Sequence, residues 1–233
     1  MENRPRKAVV LISGGLDSTT VLAIARSGNF QCHCLSFFYN QRHEVELMAA
    51  KHFARTFGAH QHLVLNLDLG RIGGSALTSD MAVPKNRDMK QMASGIPATY
   101  VPARNTIFLS HALAWAEVIG AGDIFIGVNA VDYSGYPDCR PEYLAAFEKM
   151  ANLALKSAVE GPSSIRVQAP LLYLSKADII RKGMELGVDY AVTHSCYDPD
   201  PKGRACGCCD SKMASTPCRA KAGAPDPTIY TRC

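Results

Sequence analysis

The sequence has no long apolar run, no secretory leader pattern and no block of basic residues. No stretch of its 233 residues approaches the roughly 20 consecutive apolar residues of a membrane-spanning helix. The start, MENRPRKAVV, is basic, but its short apolar run enters a Gly-Gly turn and not a small-residue cleavage site. We therefore expect a cytoplasmic protein with no membrane among its partners.

Clusters of Lys and Arg interleaved with aromatic residues are also missing, so charge gives no argument for nucleic-acid binding. The net charge of +4 suits a phosphate-bearing small molecule equally well. We expect a small-molecule substrate and no nucleic-acid partner. Apolar and charged contents of 47% and 20% are ordinary for a globular protein.

Apolar periodicity divides the chain into strands that alternate with helices. Continuous apolar stretches with β-branched residues, such as 7–13, predict strands buried on both faces. The alternation predicts an α/β fold with a doubly wound, mostly parallel sheet. Strands are expected at 7–13, 31–39, 60–68, 123–129 and 165–172, and helices at 17–28, 41–58, 104–122, 141–159 and 175–187.

Two segments depart from this alternation. Residues 69–103 are too long for a plain connection, which predicts an active-site loop. The end of the chain leaves the α/β pattern and is rich in cysteine. We predict a catalytic α/β domain over 1–190 and a small zinc-binding segment over 191–233 that packs on it.

The stretch SGGLDST (13–19) stands where the first strand ends and the first helix begins. Two glycines give backbone N–H groups close access to an anion, and the helix start adds its positive dipole end. The hydroxyls of Ser13, Ser18 and Thr19 are further donors. A Walker P-loop and a dinucleotide fingerprint are both excluded, since their GK[ST] and G-x-G-x-x-G patterns are missing. The plainer alternative is a tight corner capped by Asp17.

SGGLDS resembles the pyrophosphate loop of the ATP-pyrophosphatase (PP-loop) superfamily, whose members adenylylate a carboxylate or carbonyl oxygen with ATP. The resemblance implies an adenine nucleotide alpha hydrolase-like fold and ATP with Mg²⁺ as cofactors. Asp17 then lies near Mg²⁺ or caps the helix. The implied ATP site comprises Ile12, Ser13, Gly14, Gly15, Leu16, Asp17, Ser18, Thr19, Thr20, Val21 and Leu22.

Further stretches narrow the resemblance: YNQRHEVEL (39–47), YVPARNTIFLSHA (100–112), GVNAVDYSGYPDCRPEY (127–143), SCYDPDPKGRACGCCDS (195–211) and AGAPDPTIY (222–230). They are similar to the 7-cyano-7-deazaguanine synthase family of queuosine precursor biosynthesis, over nearly the whole chain. This implies ATP-dependent conversion of 7-carboxy-7-deazaguanine and ammonia to the nitrile through adenylylated acid and amide intermediates. The chain length leaves no segment for a glutaminase domain, so we expect free ammonia. The family also implies a homodimer.

Candidate site residues follow from these stretches. Arg104 and Asn105, at a helix start, are candidate catalytic donors to phosphate or carboxylate, alongside Asp17. The alternative readings are an ordinary helix start there and ordinary turn chemistry in the 132–139 loop. Cys139 is expected to be a packed thiol. Candidate substrate contacts are Arg42, His43, Asp132, Tyr136 and Asp138, with Phe38 and Tyr133 as possible stacking partners.

Cys196-x9-Cys206-x2-Cys209 predicts a structural, tetrahedral Zn²⁺ site. Reduced structural thiols are the alternative. Relatives carry a cysteine at the position of Lys212, which cannot ligate when protonated, so the fourth ligand is left open among Cys208, Cys218, His194 and water. Relatives also carry Asp and Gly where this chain has Phe38 and Asn40.

Two other functions remain open from the sequence. One is a PP-loop enzyme that thiolates or amidates tRNA, which would need an RNA-binding extension or sulfur-relay cysteines. The other is a catalytically impaired, zinc-stabilised nucleotide-binding homologue, which the residues at Phe38, Asn40 and Lys212 would accommodate.

Overall fold

The structure, a computed structural model, describes residues 5–39, 45–93, 95–130, 135–161 and 164–231. At residues 89, 93 and 212–215 it describes the backbone alone. No helix in these stretches is long and apolar enough to cross a membrane.

The centre of the fold is a sheet of five strands: β1 (Lys7–Leu11), β2 (Gln31–Phe38), β3 (Gln61–Asn66), β4 (Asp123–Phe125) and β5 (Arg166–Gln168). Neighbouring strands all pair in parallel, in the order β3-β2-β1-β4-β5. The strand order reverses at β1, and this leaves a crevice outside the carboxyl ends of β1 and β4. The predicted parallel α/β fold is confirmed.

Helices connect these strands and cover both faces of the sheet. Their bounds are α1 (Leu16–Ser27), α2 (Val45–Thr56), α3 (Met89–Ala93), α4 (Arg104–Ile119), α5 (Pro141–Ala154), α6 (Lys156–Val159), α7 (Lys176–Glu185) and α8 (Asp210–Lys221). Short 3-10 turns lie at Leu69–Arg71 and Pro137–Cys139. As expected from its sequence, α7 begins after Ser175, whose Oγ accepts a hydrogen bond from Asp178 N.

The sheet is buried on both faces, as the continuous apolar strands predict. Successive residues of a strand point to opposite faces, so Val9 and Val10, both fully buried, belong to different apolar clusters. The Val9 cluster includes Leu109 of α4 and Phe147 of α5. The Val10 cluster includes residues of α1, α2 and α7. This double packing fixes the carboxyl edge of the sheet, where the cavity lies.

The structure differs from the sequence prediction in several elements, and the strand expected at 123–129 extends over β4 alone. The helix expected at 141–159 is interrupted at Leu155, whose extended backbone (φ −90°, ψ 140°) separates α5 from α6. The strand expected at 165–172 extends over β5 alone. The cysteine-rich end of the chain contains α8, which the sequence pattern did not predict.

Candidate active site

A cavity of about 370 Å³ opens at the carboxyl ends of β1, β2 and β4. This is the edge at which an open parallel sheet places its ligands, and the volume is in the range of small-molecule sites. The 13–18 turn, the starts of α2, α4 and α7, and the 193–197 segment form its walls. Elements far apart in the chain thus meet around one space.

The 13–18 turn forms the floor of this cavity. Gly14 has a positive φ of 85°, and a Cβ there would lie 2.3 Å from the backbone oxygen of Glu46 in α2. Glycine is therefore required, because α2 packs directly on the turn. Ser18 Oγ accepts from Ser13 N at 3.1 Å and lies 3.0 Å from Ser13 Oγ. The turn is a preformed loop of hydroxyls and backbone donors.

The last residues of the predicted ATP stretch lie elsewhere. Thr19, Thr20, Val21 and Leu22 are fully buried and do not line the cavity. Thr20 Oγ1 donates to Leu16 O at 2.8 Å and lies 2.7 Å from the Tyr190 hydroxyl. These four residues hold α1 in the core, since α1 is buried all round at this point. In the 12–22 stretch the cavity is lined by Ile12, Ser13, Gly15, Leu16, Asp17 and Ser18.

Asp17 is paired with Lys176. Lys176 Nζ donates to both carboxylate oxygens of Asp17 at 2.7 Å. The N-cap of α1 is Gly15, with no side-chain capping bond, so the capping role considered for Asp17 is wrong. Lys176 lines the cavity at the first residue of α7. Sequence reasoning missed it, since it lies 159 residues from Asp17.

Arg104 and Glu46 bring opposite charges to the cavity wall. Arg104 begins α4, and its guanidinium lies 5.9 Å from the centre of the Phe108 ring. Burial raises the pKa of the Glu46 carboxyl to about 7, although the positive charge of Arg104 opposes the shift. Glu46 was not predicted; its only sequence signal is an acidic residue in the first turn of α2.

Asn105 lines the cavity and is hydrogen-bonded to Asp138, which does not line it. Asp138 Oδ2 accepts from Asn105 N at 3.0 Å, which satisfies a free N–H at the start of α4. Asn105 Nδ2 donates to Asp138 O at 3.3 Å and to Cys139 Sγ at 3.3 Å. This geometry favours a positioning role for both, and a direct ligand contact stays a prediction. Burial raises the pKa of the Cys139 thiol to about 12, as for a packed thiol.

Aromatic rings give the cavity flat apolar walls. Phe37 and Phe108 stack with centroids 4.1 Å apart and planes within 9°. Tyr136, a predicted substrate contact, also lines the cavity, and its hydroxyl lies 3.0 Å from Thr99 Oγ1. Phe38 pairs with β3 and does not line the cavity. Flat walls of this kind suit a planar base.

Some predicted site residues fall in stretches that the structure leaves undescribed. Arg42, His43 and Asp132 lie outside the described residues, and so do Asn40 and Tyr133. Their roles stay predictions.

The three cysteines predicted as metal ligands come together. The sulfur atoms of Cys196, Cys206 and Cys209 lie within 4.8 Å of one another, and Cys196 Sγ and Cys209 Sγ are 3.9 Å apart. Two sulfurs of a tetrahedral zinc site, each about 2.3 Å from the metal, are about 3.8 Å apart. Cys196 Sγ also accepts from Cys206 N and Asp198 N, which suits a thiolate. The donor set therefore fits Zn²⁺.

The cysteine segment is joined to the 13–18 turn by hydrogen bonds. Leu16 N, at the start of α1, donates to Ser195 Oγ at 3.2 Å. His194 N donates to Gly14 O at 3.1 Å. The two residues before Cys196 in the chain thus form hydrogen bonds with the 13–18 turn.

The 69–103 loop packs mainly on the cysteine segment. Lys85 forms a backbone bridge with Cys209, and Asn86 N donates to Cys208 O at 2.8 Å. Arg87 Nε donates to the buried carboxylate of Asp210 at 3.0 Å. Of the described part of this loop only Leu77 lines the cavity. The predicted active-site loop is therefore chiefly a support for the cysteine cluster.

Comparisons with known proteins agree on one family. The family model described as queuosine biosynthesis protein QueC matches residues 7–222. A protein of Syntrophobacter fumaroxidans named 7-cyano-7-deazaguanine synthase is 63% identical over 97% of both chains. A protein of Geobacter metallireducens with the same name is 63% identical over 97% of this chain and 93% of its own.

Two solved structures share the fold at low identity. NMN synthetase from Francisella tularensis superposes with a TM-score of 0.51 at 12% identity, over 96% of this chain and 79% of its own. A 4-thiouridine synthetase in complex with RNA and ATP gives a TM-score of 0.51 at 18% identity. Its match covers 97% of this chain and 47% of the synthetase.

Proposed function

This chain belongs to the QueC family of queuosine biosynthesis proteins, and from that premise we propose that it converts 7-carboxy-7-deazaguanine, ammonia and ATP to 7-cyano-7-deazaguanine. Its relatives named as synthases are enzymes. The reaction class proposed for this chain is ATP-dependent carbon–nitrogen ligation.

The observation that carries the proposal is the preformed 13–18 turn at the edge of the sheet. This turn faces a cavity that is lined by the Lys176 ammonium and by flat aromatic rings. The hydroxyls of Ser13 and Ser18 lie 3.0 Å apart where the start of α1 adds its positive dipole end. We assign the β- and γ-phosphates of ATP to Ser13, Gly15 and Ser18. Lys176 and Asp17 stand beside this position, one to meet phosphate and the other to meet Mg²⁺.

The substrate fits the rest of the cavity by chemical class. A deazaguanine ring is planar and suits the wall formed by Phe37, Phe108 and Tyr136. Its carboxylate matches the guanidinium of Arg104, a fork-shaped donor. Arg42, His43 and Asp132 remain proposed contacts.

The proposed course has four steps. A carboxylate oxygen attacks the α-phosphorus of ATP and releases pyrophosphate. Ammonia then displaces AMP from the acyl carbon and leaves the amide and a proton. The amide oxygen attacks a second ATP and again releases pyrophosphate. Loss of AMP and of the remaining nitrogen protons leaves the nitrile. The protein supplies positioning and stabilises the charge of the leaving pyrophosphate.

Protons must leave nitrogen in the second and fourth steps, and Glu46 is our candidate to accept them. It lines the cavity near Arg104 and carries a pKa near the working pH. A base with such a pKa is matched to proton transfer at neutral pH.

We propose that Zn²⁺ at Cys196, Cys206 and Cys209 is structural. It would tie the segment after residue 190 to the α/β domain and keep Ser195 on the 13–18 turn. A homodimer remains a proposal from the family alone. The tRNA-modifying alternative is not favoured, because the 60–63% identical relatives carry the synthase name.

The direct test is incubation of the pure protein with ATP, ammonium and 7-carboxy-7-deazaguanine. Formation of the nitrile with AMP and pyrophosphate supports the proposal. Release of ADP and orthophosphate, or ATP binding without turnover, contradicts it. Replacing the acid by guanine is the matched control, since guanine keeps the planar base and has no carboxylate to activate.

A further inference from the structure

We propose that the metal in the cysteine cluster has three protein ligands, Cys196, Cys206 and Cys209, and that its fourth coordination position takes an exchangeable small ligand. The expected ligand class is solvent, a small anion or a low-molecular-weight thiol. This inference rests on the zinc site proposed above, and its test separates the two.

The three sulfur atoms lie close enough together to share one metal ion. All of their mutual distances are within 4.8 Å, and the Cys196–Cys209 pair, at 3.9 Å, matches the edge of a thiolate site. They account for three of the four positions that Zn²⁺ fills. A fourth donor must come from elsewhere.

No other His, Cys, Asp or Glu atom among the described residues joins this group within 4.8 Å. Cys208 is next to Cys209 in the chain, but its thiol is directed at Cys206 O, 3.5 Å away. Cys218 packs instead against the apolar cluster of α1 and α7. Neither of the cysteines considered for the fourth position occupies it in this arrangement.

The acidic neighbours are held in ion pairs. Asp198 pairs with Lys85 at 2.9 Å, and Asp210 pairs with Arg87. The Asp210 side chain is only 1% exposed, so freeing it would leave Arg87 without its buried partner. These carboxylates are committed to holding the 69–103 loop.

Residue 212 is where a fourth thiolate would be expected from spacing. A Cys-x2-Cys pair places two ligands on one turn, and residue 212 follows Cys209 by this spacing in the first turn of α8. The chain has Lys212 there. An ammonium group has three donor protons and no lone pair, so it cannot act as a ligand.

Of the three cysteines only Cys196 lines the cavity, so we infer that the remaining position is reached from that side. Cys206 and Cys209 are 4% and 0% exposed, whereas Cys196 is half-buried and lines the cavity. A ligand approaching past Cys196 has to be small, because the other two sulfurs are closed in by packed residues such as Ala76 and Val83. Zinc sites with three protein ligands and one exchangeable position are chemically well founded.

The test is Co²⁺ substitution of the full-length, reduced protein under anaerobic conditions. We expect a thiolate-to-cobalt charge-transfer absorbance about three quarters of that of Lys212→Cys, since three ligands replace four. Azide or 2-mercaptoethanol should shift the d–d bands of the wild type and leave those of Lys212→Cys unchanged. Lys212→Ser, the matched control, should behave as the wild type.

A second measurement uses Zn²⁺ itself. Against a competing chelator, Lys212→Cys should retain zinc at least about tenfold more tightly than the wild type and Lys212→Ser do. Even the loss of an outer-shell partner lowers metal affinity by about this factor. Wild-type spectra equal to those of Lys212→Cys and insensitive to added ligand would overturn the inference. Cys208→Ser, Cys218→Ser and Cys233→Ser would then identify the fourth donor.

The failure of the zinc proposal has a different signature. If the wild-type protein binds neither Co²⁺ nor Zn²⁺ at one equivalent, the proposed metal site does not exist. Nitrile-forming activity is measured separately. If the protein binds one equivalent of metal with the spectrum of four thiolate ligands, only the exchangeable position is ruled out.

Discussion

At the scale of single residues, the charge in the cavity comes from a few side chains whose partners are distant in sequence. Asp17 and Lys176 neutralise each other at 2.7 Å, at the end of the sheet where a triphosphate would arrive. Glu46 and Arg104 form a second, looser pair of charges. Each of these groups can be changed without removing core volume, so each can be tested for function separately from folding.

Asp17→Ala is expected to lower nitrile formation by at least about 10²-fold, as loss of a preorganised charge does. The ion pair with Lys176 is partly exposed, so the free energy of unfolding should change by no more than about 1 kcal/mol. Steady-state turnover and urea unfolding measure the two effects. Asp17→Asn, which keeps the shape, separates charge from packing; unchanged turnover in both variants would remove Asp17 from the site.

Glu46→Gln is expected to slow the ammonia-dependent step by about 10²–10⁴-fold, the usual contribution of a general base. At a fixed concentration of free ammonia, the wild-type rate should rise with pH through about 7, where this carboxyl loses its proton, and the variant should lack that limb of the pH profile. Pyrophosphate release in the absence of ammonium, which reports the first adenylylation, serves as the control. A variant that loses this step as well, or that keeps the limb, would contradict the role of Glu46 in proton transfer.

At the scale of secondary-structure elements, the cysteine segment and the 13–18 turn form one unit. The N-terminal N–H of Leu16 in α1 is satisfied by Ser195, next to a predicted zinc ligand, and His194 bonds the turn from the other side. Metal binding is therefore expected to influence nucleotide binding through the backbone, with no contact between metal and nucleotide.

Ser195→Ala is expected to weaken ATP binding by about fivefold, which corresponds to one lost hydrogen bond of about 1 kcal/mol. Isothermal calorimetry measures the affinity. Ser27→Ala is the matched control, since Ser27 lies exposed in the last turn of α1 and its Oγ donates to Ile24 O. Removal of zinc from the wild type should weaken ATP binding in the same direction. Equal affinities of the wild type, Ser195→Ala and the zinc-free wild type would disprove the coupling.

The same elements explain what the sequence could and could not predict. The order of strands and helices follows from local apolar periodicity, and the turn at 13–18 from its position after β1. Lys176 and Ser195 could not be found in this way, because their contacts with Asp17 and Leu16 span 159 and 179 residues. For a related reason the sequence could not show that Thr19, Thr20, Val21 and Leu22 of the predicted ATP stretch are buried and do not line the cavity. A linear motif continues along the chain, whereas α1 rotates these side chains into the core.

At the scale of the whole molecule, buried histidines tie the stability of the fold to pH. His33 of β2 is 3% exposed and packs its ring edge-on against Trp115. Burial lowers its pKa below the ordinary 6.5, and the charges of His60 and Lys7 lower it further. The unfolded chain therefore binds this proton more readily than the folded protein does.

Stability is thus expected to be fully present above pH 6.5 and to decline as the pH falls below it. Between pH 7.5 and 5.5 the free energy of unfolding of the wild type should fall by more than that of His33→Gln, by a difference of at most about 1.4 kcal/mol. This limit corresponds to the uptake of one proton over one pH unit. Urea unfolding at both pH values measures the difference between the proteins. This subtraction is needed because Glu46, whose pKa is raised, contributes the opposite slope. If the free energy of unfolding changes equally with pH in the two proteins, protonation of His33 is not coupled to folding.

The fate of the carboxylate oxygens tests the proposed chemistry most directly. With 7-carboxy-7-deazaguanine labelled with ¹⁸O in both carboxylate oxygens, each adenylylation transfers one labelled oxygen to phosphorus. Mass spectrometry of the products should show one ¹⁸O in each AMP, two AMP per nitrile, and unlabelled pyrophosphate. Label in pyrophosphate or orthophosphate, or nitrile formed with unlabelled AMP, would contradict attack at the α-phosphorus.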